Sequence, residues 1–253
     1  MGKYDGILIM SDWDGTLSTG GTVTEENCEA IRRFQSDGGT FALCSGRNYT
    51  HFDQYRDLVI PNAPICAYNG ALIVDTDGSV LFESFVGREA LLVARELIVR
   101  GAITSRLLIY TKEEGNPAQC SMSEFLDSFA KYEKMHHYKL VLVGKDEEET
   151  LAAQRLAESL LPDDYFAVRS WPVGLEILKK SASKGEALKL IKKRLGAHLA
   201  IAAGDYENDV EMLTAADIGY AVENAIPAVK AAADRITVAV GESAIAKIIS
   251  ELA

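Results

Sequence analysis

Short apolar runs alternate with amphipathic stretches along most of this chain. The runs at 6–11, 40–44 and 199–203 have the length of buried strands, and the stretches that follow repeat apolar residues at helical spacing. Strands that alternate with helices favour a parallel sheet covered by helices. The pattern therefore predicts an α/β fold whose core is a Rossmann-like, doubly wound, mostly parallel sheet.

The alternation also indicates two domains. Residues 1–80 begin the predicted sheet, and the same rhythm resumes in residues 179–253 with a helix that begins near Ser183. The stretch between them has predicted strands and helices of its own. We therefore predict a core domain formed by residues 1–80 and 179–253, interrupted by an inserted second α/β domain of residues 81–178.

The first helix is predicted to run from about Glu25 to Asp37. Thr22, with Glu25 three residues later, fits a capping box at its start. Gly38 and Gly39 fit the glycine signal that ends a helix.

Charge limits the classes of partner. The chain has 253 residues, a formal net charge of -11 and a pI of about 4.9. An acidic surface repels phosphate backbones, so neither nucleic acid nor an anionic membrane is an expected partner. If the substrate is itself an anion, the site must supply a cation to bind it.

The cysteines and apolar segments indicate the compartment. The four cysteines are scattered and lack the spacing of a metal site, and Cys44 and Cys66 sit in apolar runs where a thiol acts as a small hydrophobic group. The N-terminal segment lacks an apolar core of signal length, and no apolar stretch of the sequence reaches the length of a membrane span. We expect a reducing, cytoplasmic location, and the sequence leaves open whether the chain is a monomer or a homodimer.

Three polar clusters, at 11–16, 45–47 and 204–209, directly follow predicted strands. Ligands of open parallel sheets bind at the carboxyl ends of strands, so the clusters are expected to converge. Asp12, Asp14 and Asp205 would repel one another there without a cation, and oxygen ligands of this kind suit Mg²⁺. Each motif taken alone is also explained by turn or cap residues.

The residue types suit phosphoryl transfer. A carboxylate can attack phosphorus directly, which fits Asp12, and Asp14 is placed to protonate a leaving group and later to activate water. Ser45 and Gly46 offer a hydroxyl and an unhindered N–H to a phosphate, although a plain helix cap explains them equally well. Lys184 is placed at the start of a helix, where the macrodipole disfavours a lysine. Two interpretations stay open: the lysine balances the charge of a phosphoryl group, or it is an ordinary solvated side chain.

The order of these motifs resembles that of the haloacid dehalogenase-like (HAD) superfamily. The four segments that carry the resemblance are Asp12-x-Asp14-Gly15-Thr16-Leu17, Ser45-Gly46-Arg47, Lys184-Gly185 and Gly204-Asp205-x-x-Asn208-Asp209. The long insertion between the second and third segments resembles the large α/β cap of the Cof-type phosphatase subfamily. Cof-type sequence is also similar at Asn69-Gly70-Ala71, at 174–177 and at 221–225.

The resemblance implies a role for each matching residue. Asp12 is then the nucleophile that forms an aspartyl-phosphate, Asp14 is the acid/base, and Mg²⁺ binds to Asp12, to the main-chain carbonyl of Asp14 and to Asp205. The implied phosphate contacts are the Trp13 main chain, Ser45, Gly46, Lys184 and Asn208. Asp209 lies nearby or bonds to Lys184, and further residues expected near the substrate are Arg47, Asn69 and Glu176.

The predicted function is Mg²⁺-dependent hydrolysis of a small phosphorylated metabolite, such as a sugar phosphate or a similar phosphomonoester. A cap over the site would exclude a folded protein as substrate. Two alternatives stay open. One is a phosphomutase on the same scaffold, in which a second hydroxyl replaces water as the acceptor. The other is a non-catalytic phosphometabolite-binding protein.

Overall fold

The computed structural model describes residues 2–59, 61–113 and 118–252. The chain divides into two compact units: unit 1 is Met1–Phe82 with Ser183–Ala253, and unit 2 is Glu83–Ala182. In chain order the strands are β1 (Ile7–Ser11), β2 (Thr40–Leu43), β3 (Ile65–Ala67), β4 (Leu72–Val74), β5 (Val80–Glu83), β6 (Arg106–Thr111), β7 (Ala118–Cys120), β8 (His137–Val143), β9 (Tyr165–Trp171), β10 (Gly174–Lys179), β11 (Leu199–Gly204), β12 (Ile218–Ala221) and β13 (Arg235–Ile236). The α-helices are α1 (Glu25–Ser36), α2 (Arg88–Val99), α3 (Met122–Asp127), α4 (Phe129–Tyr132), α5 (Glu147–Leu160), α6 (Lys184–Leu195), α7 (Val210–Ala215), α8 (Pro227–Ala232) and α9 (Ala244–Ser250).

Unit 1 is built on a parallel sheet in the order β13-β12-β11-β1-β2. Side chains alternate across its two faces, as the period of a strand requires. Leu8 and Met10 of β1 belong to a buried cluster with α6, α7 and α8, whereas Ile9 belongs to a cluster with α1 and α9. Helices therefore cover both faces of the sheet, and the predicted α/β fold with a parallel core is confirmed.

The strand order creates a crevice at the carboxyl edge of this sheet. From β1 the chain moves outward to β2 on one side, and later from β11 to β12 and β13 on the other side. The order reverses between β1 and β11, and such a reversal opens a cleft where ligands bind. Asp12 directly follows β1 and Asp205 directly follows β11, so both carboxylates lie at this point.

The first helix begins at Glu25, as predicted, but its N-cap differs from the prediction. Thr24, not Thr22, is the N-cap, and its Oγ1 accepts a hydrogen bond from the Asn27 N–H at 3.3 Å. Thr22 is instead held by two main-chain hydrogen bonds with Thr19, each 3.0 Å long. The prediction of a capping box at Thr22 is therefore wrong, because Thr22 belongs to the tight turn that precedes the helix.

Unit 2 contains an antiparallel sheet in the order β7-β6-β8-β10-β9. One face packs on its helices through a buried cluster that includes Leu140 and Leu142 of β8, Leu97 of α2 and Ala153 of α5. The sequence predicted a separate α/β block here without a direction for its strands, and the structure shows that its sheet is antiparallel. Trp171 and Gly174 are paired across a tight connection between β9 and β10, which only an antiparallel pair permits.

Among the described residues, no helix combines the length and the apolar character that a bilayer crossing requires.

Candidate active site

The segment after β1 is a rigid turn that presents Asp12 and Asp14. The Asp12 N–H donates to the Ala203 carbonyl at 3.0 Å and so extends the pairing of β1 with β11. Trp13 is buried, and its ring centroid lies 4.7 Å from that of Tyr55. The Trp13 carbonyl accepts the Ser18 N–H at 2.8 Å, which closes the turn. The two carboxylates are thus held on a fixed backbone.

Gly15 and Thr16 fit this turn to Asp205. Gly15 has a φ of +79°, and a Cβ at this position would lie 2.4 Å from Asp205 Oδ2. Only glycine combines that left-handed backbone with the close approach of a carboxylate. The Thr16 hydroxyl, which is fully buried, donates to Asp205 Oδ1 at 3.1 Å. The threonine therefore orients the Asp205 carboxylate, a role that its position in the sequence did not reveal.

A buried lysine joins two of the carboxylates. Lys184 is the first residue of α6, and its Nζ donates to Asp12 Oδ1 and to Asp209 Oδ1, each at 2.6 Å. All three residues are at most 5% exposed. Burial by itself lowers the pKa of Lys184, but the charges of Asp12 and Asp209 outweigh it and raise that pKa well above its usual value. The two neighbouring carboxylates therefore favour the charged form of Lys184.

Asp209 organises the loop after β11. Its Oδ2 accepts hydrogen bonds from the main-chain N–H of Asp205 at 2.9 Å and of Tyr206 at 3.1 Å. Since Oδ1 is bonded to Lys184, both oxygens of Asp209 have partners within the protein. The residue is suited to positioning Lys184 and the Asp205 loop rather than to binding a ligand.

The carboxylates lie close enough together to bind one divalent cation between them. Asp12, Asp205 and Asp209 each offer an oxygen, and these atoms lie within 4.8 Å of one another. Burial and then the Asp209 charge raise the pKa of Asp205 to about 7, and burial likewise raises the pKa of Asp12 well above its usual range. When these three carboxylates are ionised, the single positive charge of Lys184 does not balance them, and the cluster carries an excess of negative charge. An all-oxygen donor set with excess negative charge fits Mg²⁺, and Asp12 and Asp205 are the residues suited to hold it.

Asp14 lies toward solvent and is held by Arg47. The guanidinium donates from Nε to Asp14 Oδ2 at 2.8 Å and from Nη2 to Oδ1 at 2.9 Å, a two-pronged contact that orients the carboxylate. The side chains of Asp14 and Arg47 are 45% and 52% exposed. Asp14 is therefore accessible, and Arg47 contacts it directly, a pairing that the sequence did not indicate.

Two of the remaining predicted phosphate contacts, Ser45 and Asn208, are linked by hydrogen bonds through Asn69. Ser45 is buried after β2, and its Oγ accepts the Arg47 N–H at 3.2 Å. The Ser45 carbonyl accepts the Asn69 N–H at 2.9 Å, and Asn69 Oδ1 accepts from Asn208 Nδ2 at 3.0 Å. Asn69 takes a left-handed φ of 58°, which asparagine tolerates better than most residues. Gly46 lies within the same turn.

Asn224 is a residue that the sequence analysis left without a role in the site. Its Nδ2 donates to the Gly15 carbonyl at 2.8 Å, and its Oδ1 accepts the Val240 N–H at 2.9 Å. It therefore ties the Asp14–Gly15 turn to the segment before α9. Its place just beyond the carboxyl end of β12 is the signal in the sequence that could have indicated it.

Glu176 lies in unit 2, on β10. Its Oε2 accepts from Lys139 Nζ at 2.7 Å, and both side chains are almost completely buried. The carboxylate is thus committed to an ion pair within the unit 2 sheet. A contact between Glu176 and a substrate stays a prediction.

Fold and site together define a class. Carboxylates and a buried lysine meet at the point where the strand order of a doubly wound sheet reverses, which is where such sheets bind their ligands. The family model described as haloacid dehalogenase-like hydrolase matches residues 9–249. The chain belongs to this family, and its sequence and fold agree with those of the Cof-type members.

Known proteins of similar sequence and fold agree with this assignment. The chain is 31% identical over 267 residues to YxeH of Bacillus subtilis, a candidate phosphatase, with 97% of each chain covered. It is 26% identical to 5-amino-6-(5-phospho-D-ribitylamino)uracil phosphatase YitU of the same organism, with 96% of each covered. A haloacid dehalogenase-like hydrolase from B. subtilis superimposes with a TM-score of 0.82 at 23% identity, over 97% of this chain and 99% of that one. Family and relatives support a phosphatase.

Proposed function

We propose that this enzyme hydrolyses a small phosphomonoester in a Mg²⁺-dependent reaction that passes through a phosphate bound covalently to Asp12. The observation that supports the proposal most strongly is the cluster of Asp12, Lys184 and Asp205 at the carboxyl edge of the parallel sheet. Lys184 lies 2.6 Å from Asp12, and an oxygen of Asp205 lies within 4.8 Å of one on Asp12. A nucleophile, a fixed cation and a second metal-binding carboxylate are what phosphoryl transfer requires.

In the first half-reaction an Asp12 oxygen attacks phosphorus and the bond from phosphorus to the leaving oxygen breaks. Asp14 gives its proton to that oxygen, so the alcohol departs neutral. In the second half-reaction Asp14, now a carboxylate, takes a proton from water, and the water oxygen attacks the same phosphorus. The bond between phosphorus and the Asp12 oxygen breaks, so Asp12 becomes a free carboxylate again and inorganic phosphate leaves. The contact with Arg47 holds Asp14 in one orientation on its turn.

The remaining residues of the site are assigned to binding the phosphoryl group and balancing its negative charge. Lys184 stabilises the negative charge of the transferred group, and Ser45, Gly46, Asn208 and the Trp13 N–H are assigned to its oxygens. Mg²⁺, held by Asp12, Asp205 and the Asp14 carbonyl, would supply further positive charge when bound. Asp209 keeps Lys184 in place through the hydrogen bond at 2.6 Å.

The proposed substrate is a small metabolite. A relative matched along almost its whole length is named for a phosphorylated ribitylaminouracil, a small phosphomonoester. We assign recognition of the organic part of the substrate to unit 2, the inserted cap domain. Arg47 and Asn69 are further residues proposed to lie near the substrate.

The proposal is tested by measuring inorganic phosphate released from a panel of small phosphomonoesters. We expect turnover with Mg²⁺ that falls at least about 100-fold in EDTA and returns when Mg²⁺ is restored, because the metal contributes several kcal/mol to such reactions. The release must proceed with water alone, without a bisphosphate activator. Turnover that is indifferent to EDTA would reject the metal, and binding without phosphate release would reject hydrolysis.

Gly15→Ala is expected to lower kcat at least about 100-fold, because displacing a catalytic group by about 1 Å costs that much. The new Cβ would lie 2.4 Å from Asp205 Oδ2, on a backbone that disfavours alanine. Gly20→Ala is the matched control, since Gly20 also has a positive φ, +57°, but nothing lies within 4 Å of its added Cβ. Steady-state kinetics of the two variants, with circular dichroism to check folding, measures the difference. Equal kcat values in both variants would show that the contact with Asp205 is not required.

A further inference from the structure

Two cysteines form a close pair behind the turn that carries Ser45. Cys44 follows β2, Cys66 lies on β3, and their sulfur atoms are 2.7 Å apart. Both residues are completely buried. The separation exceeds a disulfide bond of about 2.05 Å by roughly 0.7 Å. The pair therefore needs only a small movement to become covalent.

The backbone geometry suits that bond. Cys44 and Cys66 are directly opposite each other in a parallel bridge. Neighbouring strands lie about 4.8 Å apart, which is inside the range of Cα separations of about 4.4–6.8 Å found for disulfides. Side chains at directly opposed positions also point to the same face of a sheet. The other two cysteines are placed differently: Cys28 lies on α1, and the Cys120 sulfur contacts the Tyr132 hydroxyl at 2.9 Å.

The pair is connected to the proposed phosphate site through the main chain. Ser45 directly follows Cys44, and its N–H donates to the Cys66 carbonyl at 2.9 Å. The Cys44 N–H donates to the carbonyl of Ser11, the residue before Asp12, at 2.9 Å. A displacement of the main chain at either cysteine would therefore also move Ser45.

We propose that Cys44 and Cys66 are a peroxide-sensitive dithiol, whose conversion to a disulfide alters the Ser45 turn and lowers activity reversibly. One thiol attacks hydrogen peroxide, the O–O bond breaks, and a sulfenic acid and water form. The second thiol attacks the sulfenic sulfur, an S–S bond forms, and the hydroxyl leaves as a second water. Two thiols are oxidised, and one peroxide is reduced to two waters.

The position of the pair determines how it reacts. Burial raises the pKa of Cys44, which keeps the thiol protonated and makes the reaction with peroxide slow. Once a sulfenic acid forms, its partner at 2.7 Å traps it before a second peroxide can produce a sulfinic acid. Slow formation and efficient trapping describe a response to sustained oxidation rather than to a brief exposure to peroxide.

The test treats the reduced protein with hydrogen peroxide and maps its peptides by mass spectrometry. We expect loss of two of the four titratable thiols and a peptide pair joined through Cys44 and Cys66, about 2 Da lighter than its parts and restored by dithiothreitol. Cys28→Ala should leave the link intact. Cys66→Ala should abolish it and let Cys44 proceed to sulfinic acid. Sulfinic acid at either residue of the wild-type protein, or no link, would overturn the proposal, and this readout needs no variant to fold.

The effect on activity rests on the proposed function and is read separately. Phosphate release should fall in the linked protein and return with dithiothreitol, whereas Cys66→Ala should not show the reversible loss. A link that forms without any change in phosphate release would overturn the effect on the Ser45 turn. Absence of phosphate release in the reduced protein would instead count against the proposed function, because the mass measurement does not depend on activity.

Discussion

Asp12→Asn is expected to lower kcat at least about 10⁴-fold, which is the scale of losses when a nucleophile is removed. The amide keeps the size and shape of the carboxyl group but cannot attack phosphorus. It also removes a charge from the cluster with Asp205 and Asp209. Lys184 keeps its hydrogen bond to Asp209 at 2.6 Å in this variant, so the buried cation retains a carboxylate partner and the protein is expected to fold.

The matched control is Asp57→Asn, which makes the same chemical change at an exposed position of unit 1. Its kcat should equal that of the wild-type protein. Phosphate release from the best substrate of the panel measures both variants, and thermal unfolding monitored by circular dichroism checks that both are folded. A folded Asp12→Asn protein with wild-type turnover would remove Asp12 from its proposed role as nucleophile.

Lys184→Met is expected to destabilise the protein by about 3–5 kcal/mol, because two buried carboxylates lose their common cation. Methionine keeps the unbranched apolar stem of the side chain, so the change is mainly one of charge. Lys184 Nζ bonds Asp12 and Asp209 at 2.6 Å each, and the lysine is 1% exposed. Urea unfolding in EDTA, which removes any divalent cation, measures the loss. Phosphate release should fall sharply as well, since the same cation is proposed to balance the transferred group.

The same helix offers a matched control. Lys189 lies on α6 and its side chain is 60% exposed, where it pairs with Glu186. Lys189→Met should leave the urea midpoint almost unchanged, because exposed ion pairs contribute little. A double variant, Lys184→Met with Asp209→Asn, should be less destabilised than the sum of the single changes, since one unpaired charge is removed. Equal effects at Lys184 and Lys189 would show that the buried cluster does not depend on its cation.

The parallel core was predictable from local sequence. Runs such as 199–203 are apolar throughout, and the polar residues that follow them mark strand ends. Because the carboxyl ends of parallel strands share one edge, Asp12 and Asp205 were expected together although 193 positions separate them, and the structure places their carboxylates within 4.8 Å. The catalytic roles of these residues stay predictions.

Other features depend on contacts that local pattern does not record. The strands of unit 2 read like those of the core, and only their pairing shows that the sheet is antiparallel. The bond between Arg47 and Asp14 joins residues of two loops, and the approach of Cys44 to Cys66 depends on the register of β2 and β3. Thr22 and Thr24 are chemically identical as caps, so the choice between them is made by the turn at Thr19.

The most direct test of the central proposal is a crystal structure of the protein with Mg²⁺ and inorganic phosphate. We predict one Mg²⁺ bound by oxygens of both Asp12 and Asp205 at about 2.1 Å, the distance that Mg²⁺ requires. The phosphate should lie beside it, in contact with Lys184 and the Ser45 hydroxyl. A magnesium ion bound elsewhere, or a phosphate remote from Asp12, would contradict the proposed phosphoryl-transfer site.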